Sequence, residues 1–267
     1  MKNVFKKNVL ILFLIFVFSK KNPFLATWRL GGEIFLLSFF LLSPVLGQEI
    51  DFKTLSLIPL QEGGRVKPLD TFARESLRII TGHEKFEGRS SIDVLMDWLA
   101  HPDSWDAKEF ILIENLDLKS LLSVPSDKKR IAPQFLLKND GFIAYAKTSY
   151  AKQQKKIALN PMEKEALAVF GRLQRFEDIE SGKELAIVPV PDEKTQKWVS
   201  LEELQTAYRT NRNAIPDPIR QVLISFAGVL KSYDARDAAH FSLESQNLSQ
   251  ILGQLGKDKV NPSLLSL

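Results

Sequence analysis

Cysteine is absent from the 267 residues, and histidine occurs only three times. Without thiols the chain forms no disulfide, no thiolate metal site and no CxxC redox pair, and it lacks the CxxCH thiols to which haem is attached in c-type cytochromes. His83, His101 and His240 lie far apart, and the sequence GHEKF around His83 is not the HExxH of zinc proteases. P-loop, GxGxxG and GxSxG patterns are also missing. The sequence therefore indicates no active site, no metal site and no cofactor bound by this chain.

An excess of positive charge is confined to the first 47 residues. The whole chain has a formal net charge of +4, but residues 1–47 contain five lysines and one arginine against Glu33 alone. The remainder is therefore slightly acidic. Because binding to phosphate backbones requires clustered cations, this distribution argues against a nucleic-acid partner.

Long apolar runs are limited to the same leader. Asn8–Phe18 and Ile34–Leu46 are apolar, and each is shorter than the roughly 20 residues that span a bilayer. Arg29, the run from Ile34 and the small residues Val45 and Gly47 match the three parts of a signal peptide. We expect residues 1–47 to be a signal peptide cleaved after Gly47 or, alternatively, an uncleaved membrane anchor. Residues 48–267 are then a domain on the periplasmic side of the cytoplasmic membrane.

After the leader the pattern is mainly helical, with a small β element, which predicts an α+β fold. Helices are expected after Pro68, after Ser90 or Ser91, over Phe135–Lys156 with a break near Asp140-Gly141, after Asn160, after Ser200, from Asp217 to Tyr233 and over about 235–255. Asn160-Pro161-Met162-Glu163 and Ser200-Leu201-Glu202-Glu203 read as capping boxes. Short strands are expected at Phe110–Ile113 and Glu184–Pro191, the latter paired with Trp198-Val199.

The most informative stretch is SLIPLQEGGRVKPLDTFARESLRIITG, from Ser56 to Gly82. A basic, glycine-rich turn directly precedes a helix in which Pro68 is expected at the first position and Gly82 at the end. One interpretation is a site for an acidic group, built from glycine N–H groups, two cations and the helix start. The other is a structural turn, with Arg65 paired to Asp70 or Glu75 and Asp70-Thr71 satisfying the helix start. The residues in question are Gly63, Gly64, Arg65, Lys67, Pro68, Asp70 and Thr71.

Within this motif, Lys67 is the residue that folding explains least, since lysine has no special turn geometry. We expect its charge to face solvent or an acidic partner, so that its removal leaves stability nearly unchanged. Asp70 is expected to cap the helix. Arg65 is compatible with either role, because its planar fork suits a carboxylate inside or outside the domain.

These residues carry a resemblance. The segment LIPLQEGGRVKPLDTFARESLRIITG resembles a stretch near the start of the periplasmic region of System II cytochrome c biogenesis proteins of the fused CcsB–CcsA type. Pro59, Gln61, Gly64, Arg65, Lys67, Pro68, Asp70, Thr71 and Ala73 fit the pattern, and Leu60 stands where valine is usual. LMDWLAHPDSWDAKEFILI, KEALAVFGRLQRF and LAIVPVPDEKTQKWVSLEEL are similar in order and spacing.

The resemblance implies a role in exporting haem and attaching it to apocytochrome thiols. The histidines and the tryptophan-rich WWD segment that handle haem in that family lie in a multi-spanning part that this sequence lacks. We therefore expect the chain to be either a separate subunit or a truncated reading frame. We expect an accessory domain without chemistry of its own, whose partner is a multi-spanning haem-handling membrane protein or apocytochrome c, with haem held by the partner. The alternatives are a periplasmic hydrolase and a periplasmic binding module unrelated to haem.

Overall fold

Helices dominate the part of the chain that the computed structural model describes, residues 49–189 and 197–256. Small two-stranded sheets accompany them, so the predicted α+β class is confirmed. The first half contains α1 (Lys53–Ser56), β1 (Pro59–Glu62), β2 (Arg65–Pro68), α2 (Leu69–Thr81), β3 (Lys85–Phe86), β4 (Arg89–Ser90), α3 (Ser91–Ala100), α4 (Pro102–Trp105), β5 (Ile111–Leu112) and α5 (Leu116–Leu121). The second contains β6 (Arg130–Ile131), α6 (Pro133–Leu137), α7 (Asp140–Gln154), α8 (Pro161–Glu180), α9 (Leu201–Thr210), a 3₁₀ turn (Arg212–Ala214), α10 (Asp217–Asp234) and α11 (Ala238–Leu255).

Local signals set most helix ends. Both predicted capping boxes are present: Asn160 and Glu163 exchange side-chain and backbone bonds at the start of α8, as do Ser200 and Glu203 at α9. Ser90 accepts a hydrogen bond from the Asp93 N–H at the start of α3. Gly82 ends α2 in the left-handed region, with φ of 82°, as its position just past the helix predicts.

Two helix boundaries differ from expectation. Pro68 is not the first helical residue but the N-cap of α2, with extended backbone angles, because it also closes strand β2. The break expected near Asp140-Gly141 falls one residue earlier: Asn139 separates α6 from α7 and its side chain accepts from the Phe142 N–H. In both places the N-cap residue of the helix also belongs to or bonds with the preceding element: Pro68 ends β2, and the Asn139 N–H donates to the Leu136 carbonyl of α6.

The strands pair as three antiparallel two-stranded sheets, β1 with β2, β3 with β4 and β5 with β6. The strand expected at Phe110–Ile113 is thus confirmed in shortened form. The expected pairing of Glu184–Pro191 with Trp198-Val199 is reduced to a single antiparallel bridge between Val188 and Val199, and its far end lies outside the described residues.

One hydrophobic cluster connects these elements. Its centre is a group of aromatic rings from α3, α4, α8 and the segment before β5, in edge-to-face and tilted contacts: Trp98, Trp105, Phe110 and Phe176. Phe110 and Phe176 have centroids 4.9 Å apart. Burial of such large rings supplies the main favourable free energy of folding and fixes α3 and α8 relative to each other.

The expected leader, the cleavage point after Gly47 and the boundary between residues 47 and 48 lie outside the described residues. Among the helices of residues 49–189 and 197–256, none has the length and apolar character needed to cross a membrane. Localisation therefore stays a prediction from the sequence.

Candidate functional site: the β1–β2 hairpin and its supports

The glycine-rich motif forms a β-hairpin. Leu60 pairs with Lys67 and Glu62 with Arg65, which leaves Gly63-Gly64 as a two-residue loop. Both glycines have positive φ, 56° and 79°, and two-residue hairpin loops require this so that the turn matches the strand twist. A side chain here would meet no neighbouring atom, so backbone conformation and not space demands glycine.

Chain connectivity separates the glycine turn from the helix start. The four residues of β2 lie between them, about 13 Å at 3.3 Å per residue. The glycine N–H groups therefore lie a strand's length from the N-terminus of α2. This separation favours the structural turn over a single site for an acidic group built from both. The exposed part is the hairpin tip, which we define as Gly63, Gly64 and Arg65.

Lys67 does not face solvent. Its ammonium donates to Glu62 at 2.5 Å and to Glu75 of α2 at 2.6 Å, and its side chain is only 20% exposed. Burial lowers the pKa of Lys67, but the bonds to Glu62 and Glu75 outweigh it and raise that pKa. The expectation that Lys67 is a solvent-facing cation is therefore wrong, because a neighbouring strand and a helix both present carboxylates to it.

Arg175 from α8 completes this support. Its guanidinium donates to Glu62 at 2.7 Å and to the buried Ser76 hydroxyl at 2.9 Å, and it lies 5.2 Å from the Phe72 ring centroid. Burial raises the pKa of Glu62, whereas the bonds from Lys67 and Arg175 lower it more, so Glu62 stays ionised. The hairpin base network, Glu62, Lys67, Glu75 and Arg175, thus ties the hairpin to α2 and α8.

The second edge of the hairpin is also held. The Gln61 N–H donates to the Ala186 carbonyl at 2.9 Å, and the Gln61 side-chain carbonyl accepts from the Trp198 N–H at 2.8 Å. At the base, the Leu69 N–H donates to the Ile58 carbonyl at 2.8 Å. Among residues 49–189 and 197–256, none makes such an anchoring contact with the tip.

Arg65 and Asp70 do not pair as the structural interpretation expects. Asp70 is the second residue of α2 and pairs with Arg74 at 3.1 Å, and no side chain caps this helix. Arg65 is exposed and forms no ion pair with any residue in 49–189 or 197–256. Thr71 is half-buried in the first turn. Most residues of the motif have a structural role: the glycines form the turn, Pro68 ends β2, and Lys67 bonds to Glu62 and Glu75. The Arg65 side chain has no such role among the described residues.

These contacts change two stability expectations. Lys67→Ala should lower the free energy of unfolding by about 1.5–3 kcal/mol, because hydrogen bonds to charged groups contribute about that much. Asp70→Ala should cost about 0.5 kcal/mol at most, since an exposed first-turn acid interacts only with the helix dipole and Arg74. Urea titrations of both variants measure these values. A larger cost for Asp70→Ala than for Lys67→Ala would contradict the network.

A second polar group, which joins β4, α3 and α10, was not predicted from the sequence. Arg89 donates to both oxygens of Asp93, at 2.7 and 2.9 Å, to Asp97 at 2.7 Å and to the Tyr233 hydroxyl of α10 at 2.7 Å. Tyr233 in turn donates to Asp93 at 2.7 Å. The α3 polar network comprises Arg89, Asp93, Asp97, His101, Tyr233 and Asp234, and it joins α3 to the end of α10.

Burial in this network disfavours the charged form of the carboxylates, but the hydrogen bonds from their partners have the larger effect on the pKa. For Asp93, burial raises the pKa, but the hydrogen bonds from Arg89 and Tyr233 lower it by more. The net pKa of Asp93 is therefore below its usual value. For Asp97 the opposing bonds come from Arg89 and His101, with the same downward result. The pKa of the Tyr233 hydroxyl is raised mainly by burial and also by the hydrogen bond to Asp93, so the hydroxyl stays neutral.

Acid should therefore destabilise the fold. Asp93, Asp97 and Glu62 have pKa values that are lower in the folded chain than in the unfolded one. Their contribution is fully present above the unfolded values, near pH 4, and is lost as pH falls through the folded values. Urea midpoints measured from about pH 7 to about pH 3 should fall most steeply below about pH 4. A midpoint that stays constant over this range would contradict these assignments.

No triad or larger group of His, Asp or Glu in the described residues is arranged to hold a metal ion. The fold and site define a class: a mainly helical α+β domain that presents an exposed, arginine-bearing hairpin on a charge-paired base.

No protein-family model matches the chain. A similar sequence occurs in Protein NrfI of Wolinella succinogenes, with 24% identity over 156 residues, 58% of this chain and 17% of that protein. The aligned part thus spans about a sixth of that relative. The similarity supports a relation to cytochrome c biogenesis in general, while the fused CcsB–CcsA type stays a prediction.

Proposed function

We propose that this chain is an accessory domain of cytochrome c maturation on the periplasmic side of the cytoplasmic membrane, and that it acts by binding and not by catalysis. Its partner is a multi-spanning, haem-handling membrane protein or, as the second choice, apocytochrome c. Haem is held by the partner in this proposal. The sequence relation to cytochrome c biogenesis supports the process, and the hairpin supports the mode of action.

The observation that carries the binding mode is the contrast between the hairpin's tip and its base. Each charged side chain at the base has partners inside the domain, whereas Arg65 at the tip is exposed and forms no ion pair among the described residues. A rigid support reduces the conformational entropy lost when a partner binds. The planar guanidinium of Arg65 suits bidentate contact with a carboxylate.

Deletion of the gene tests the proposed process. Loss of the chain should strongly reduce covalently bound haem in c-type cytochromes, because the partner then lacks its accessory domain, and the full-length gene should restore it. Haem staining of denatured membrane and periplasmic proteins measures this. Unchanged c-type cytochromes in the deletion strain would contradict the proposal.

Affinity purification tests the proposed partner. A tagged full chain should co-purify with a multi-spanning membrane protein that contains the WWD segment. Co-purification with apocytochrome c alone would favour the second choice, and recovery of neither from solubilised membranes would argue against a docking role.

A further inference from the structure

The His101 ring lies between carboxylates from two different helices. Its Nδ1 is 2.7 Å from an Asp97 oxygen in α3, and its Nε2 is 2.7 Å from an Asp234 oxygen at the end of α10. An ionised carboxylate only accepts hydrogen bonds, so each ring nitrogen must carry a proton to bond there. Neutral imidazole has one N–H and imidazolium has two. The two contacts exist together only when the ring is doubly protonated.

We propose that His101 is a proton-operated clasp between α3 and the α10–α11 hairpin, closed while the ring carries both protons and loosened when it loses one. This inference does not depend on the proposed function. The pH-sensitive contact lies where the end of α3 meets the end of α10.

The charges around the ring favour the closed state. Asp97 and Asp234 contact the ring directly, and the Tyr233 ring lies beside it. Arg89 and Asp93 bond to Asp97 or Tyr233 in turn, and Arg236 lies over the Tyr233 ring. From α4, the Ser104 hydroxyl donates to the His101 carbonyl. The three aspartates and two arginines of this group have a net charge of −1, which the positive charge of a doubly protonated His101 balances. Burial lowers the pKa of His101, but its bonds to Asp234 and Asp97 raise it more.

The contact with Asp234 is the one that opens. Asp97 is also held by Arg89 and by the Trp105 indole N–H, whereas the Asp234 side chain is 67% exposed. Asp234 is the last residue of α10, where the helix dipole disfavours a carboxylate unless a cation lies beside it. A neutral ring that keeps its proton on Nδ1 would hold Asp97 and turn a lone pair toward Asp234.

Release is local because the contacts of Tyr233, the residue next to Asp234, do not depend on the His101 proton. The Tyr233 hydroxyl stays bonded to Arg89 and Asp93 through neutral pH. The Phe52 and Phe241 rings also pack beside Tyr233, with centroids 6.2 and 6.4 Å away. Loss of the clasp therefore loosens the last turn of α10 and the start of α11 without unfolding the domain.

The sign follows from the raised pKa of His101. A group whose pKa is higher in the folded chain contributes stability that is fully present below the unfolded value, near pH 6.5. That stability is lost as pH rises through the folded value. The clasp thus closes toward acid and opens toward alkali, opposite to the carboxylates of the same network.

The test uses the purified full chain. With only three histidines, labelled imidazole signals can be assigned by single substitutions, and the His101 titration can be followed by NMR from about pH 5 to about pH 9. Hydrogen exchange of residues 230–242, corrected for the intrinsic pH dependence of amide exchange, reports opening. Protection should fall as His101 loses its proton, by at most about tenfold per pH unit for one proton.

Matched variants separate the clasp from general effects. His101→Gln should remove the pH-dependent part of the protection, and His240→Gln, at an exposed site beside Asp237, should retain it. Asp234→Asn leaves the ring and α3 intact and should also remove it, which keeps the test decisive if the first variant folds poorly. Corrected protection that stays constant while His101 titrates, or that keeps its pH dependence in Asp234→Asn, would overturn the proposal.

Discussion

Replacing Arg89 by alanine should lower the free energy of unfolding by about 3–5 kcal/mol, the cost of leaving buried charges without their partner. Asp93 and Asp97 are both mostly buried and both depend on the Arg89 guanidinium, and the Tyr233 hydroxyl loses its donor as well. Because these bonds join α3 to α10, the loss should also weaken the packing of α10. Urea or thermal unfolding of the purified chain measures it.

Arg74→Ala is the matched control for Arg89→Ala. Arg74 also pairs with an aspartate four residues away, but its side chain is 47% exposed. Its removal should cost less than about 1 kcal/mol. Similar costs for the two arginines would mean that the α3 polar network is no more than a set of surface pairs.

Glu62→Ala should cost about 3 kcal/mol or more, because it leaves two half-buried cations, Lys67 and Arg175, without their shared carboxylate. The loss should appear chiefly in the hairpin, as faster hydrogen exchange of residues 59–68. Glu75→Ala is the control: Glu75 is more exposed, and its removal leaves the Lys67–Glu62 pair intact, so about 1 kcal/mol is expected.

A double-mutant cycle isolates the contact between the hairpin and α8. Glu62→Ala, Arg175→Ala and the double variant should give a coupling energy of at least about 1 kcal/mol, since the two side chains share a direct bond at 2.7 Å. Additive costs would show that Arg175 supports the core through Ser76 and Phe72 alone.

The helical parts were predictable because their signals are local. The capping boxes at Asn160 and Ser200, and the glycine after α2, each act within four residues of the helix end that they define. The hairpin had a local signal too. Two glycines between residues of strand character indicate a two-residue hairpin loop, but the sequence analysis assigned them to a turn directly before the helix.

The role of Lys67 was beyond local signals. Its contacts depend on Glu75 in the second turn of α2 and on Glu62, which also bonds to Arg175, 113 residues further along the chain. The α3 network had a periodic signal that the sequence analysis missed: Asp93 and Asp97 lie four residues apart on α3, and Arg89 before the helix and His101 at its end continue the same spacing. Their partners Tyr233 and Asp234 come from α10, which only the fold places beside them.

The central claim is that the hairpin tip docks a partner in cytochrome c maturation, and Arg65 tests it most directly. Covalently bound haem in c-type cytochromes should be measured in strains that carry Arg65→Ala, Arg65→Lys or the remote Arg212→Ala, with the chain present at wild-type level. The account predicts a marked loss for Arg65→Ala, partial recovery for Arg65→Lys because the charge but not the fork is kept, and no change for Arg212→Ala. Unfolding midpoints should be the same for all three. Wild-type haem attachment in the Arg65→Ala strain would contradict docking through the tip and reduce the motif to a structural turn.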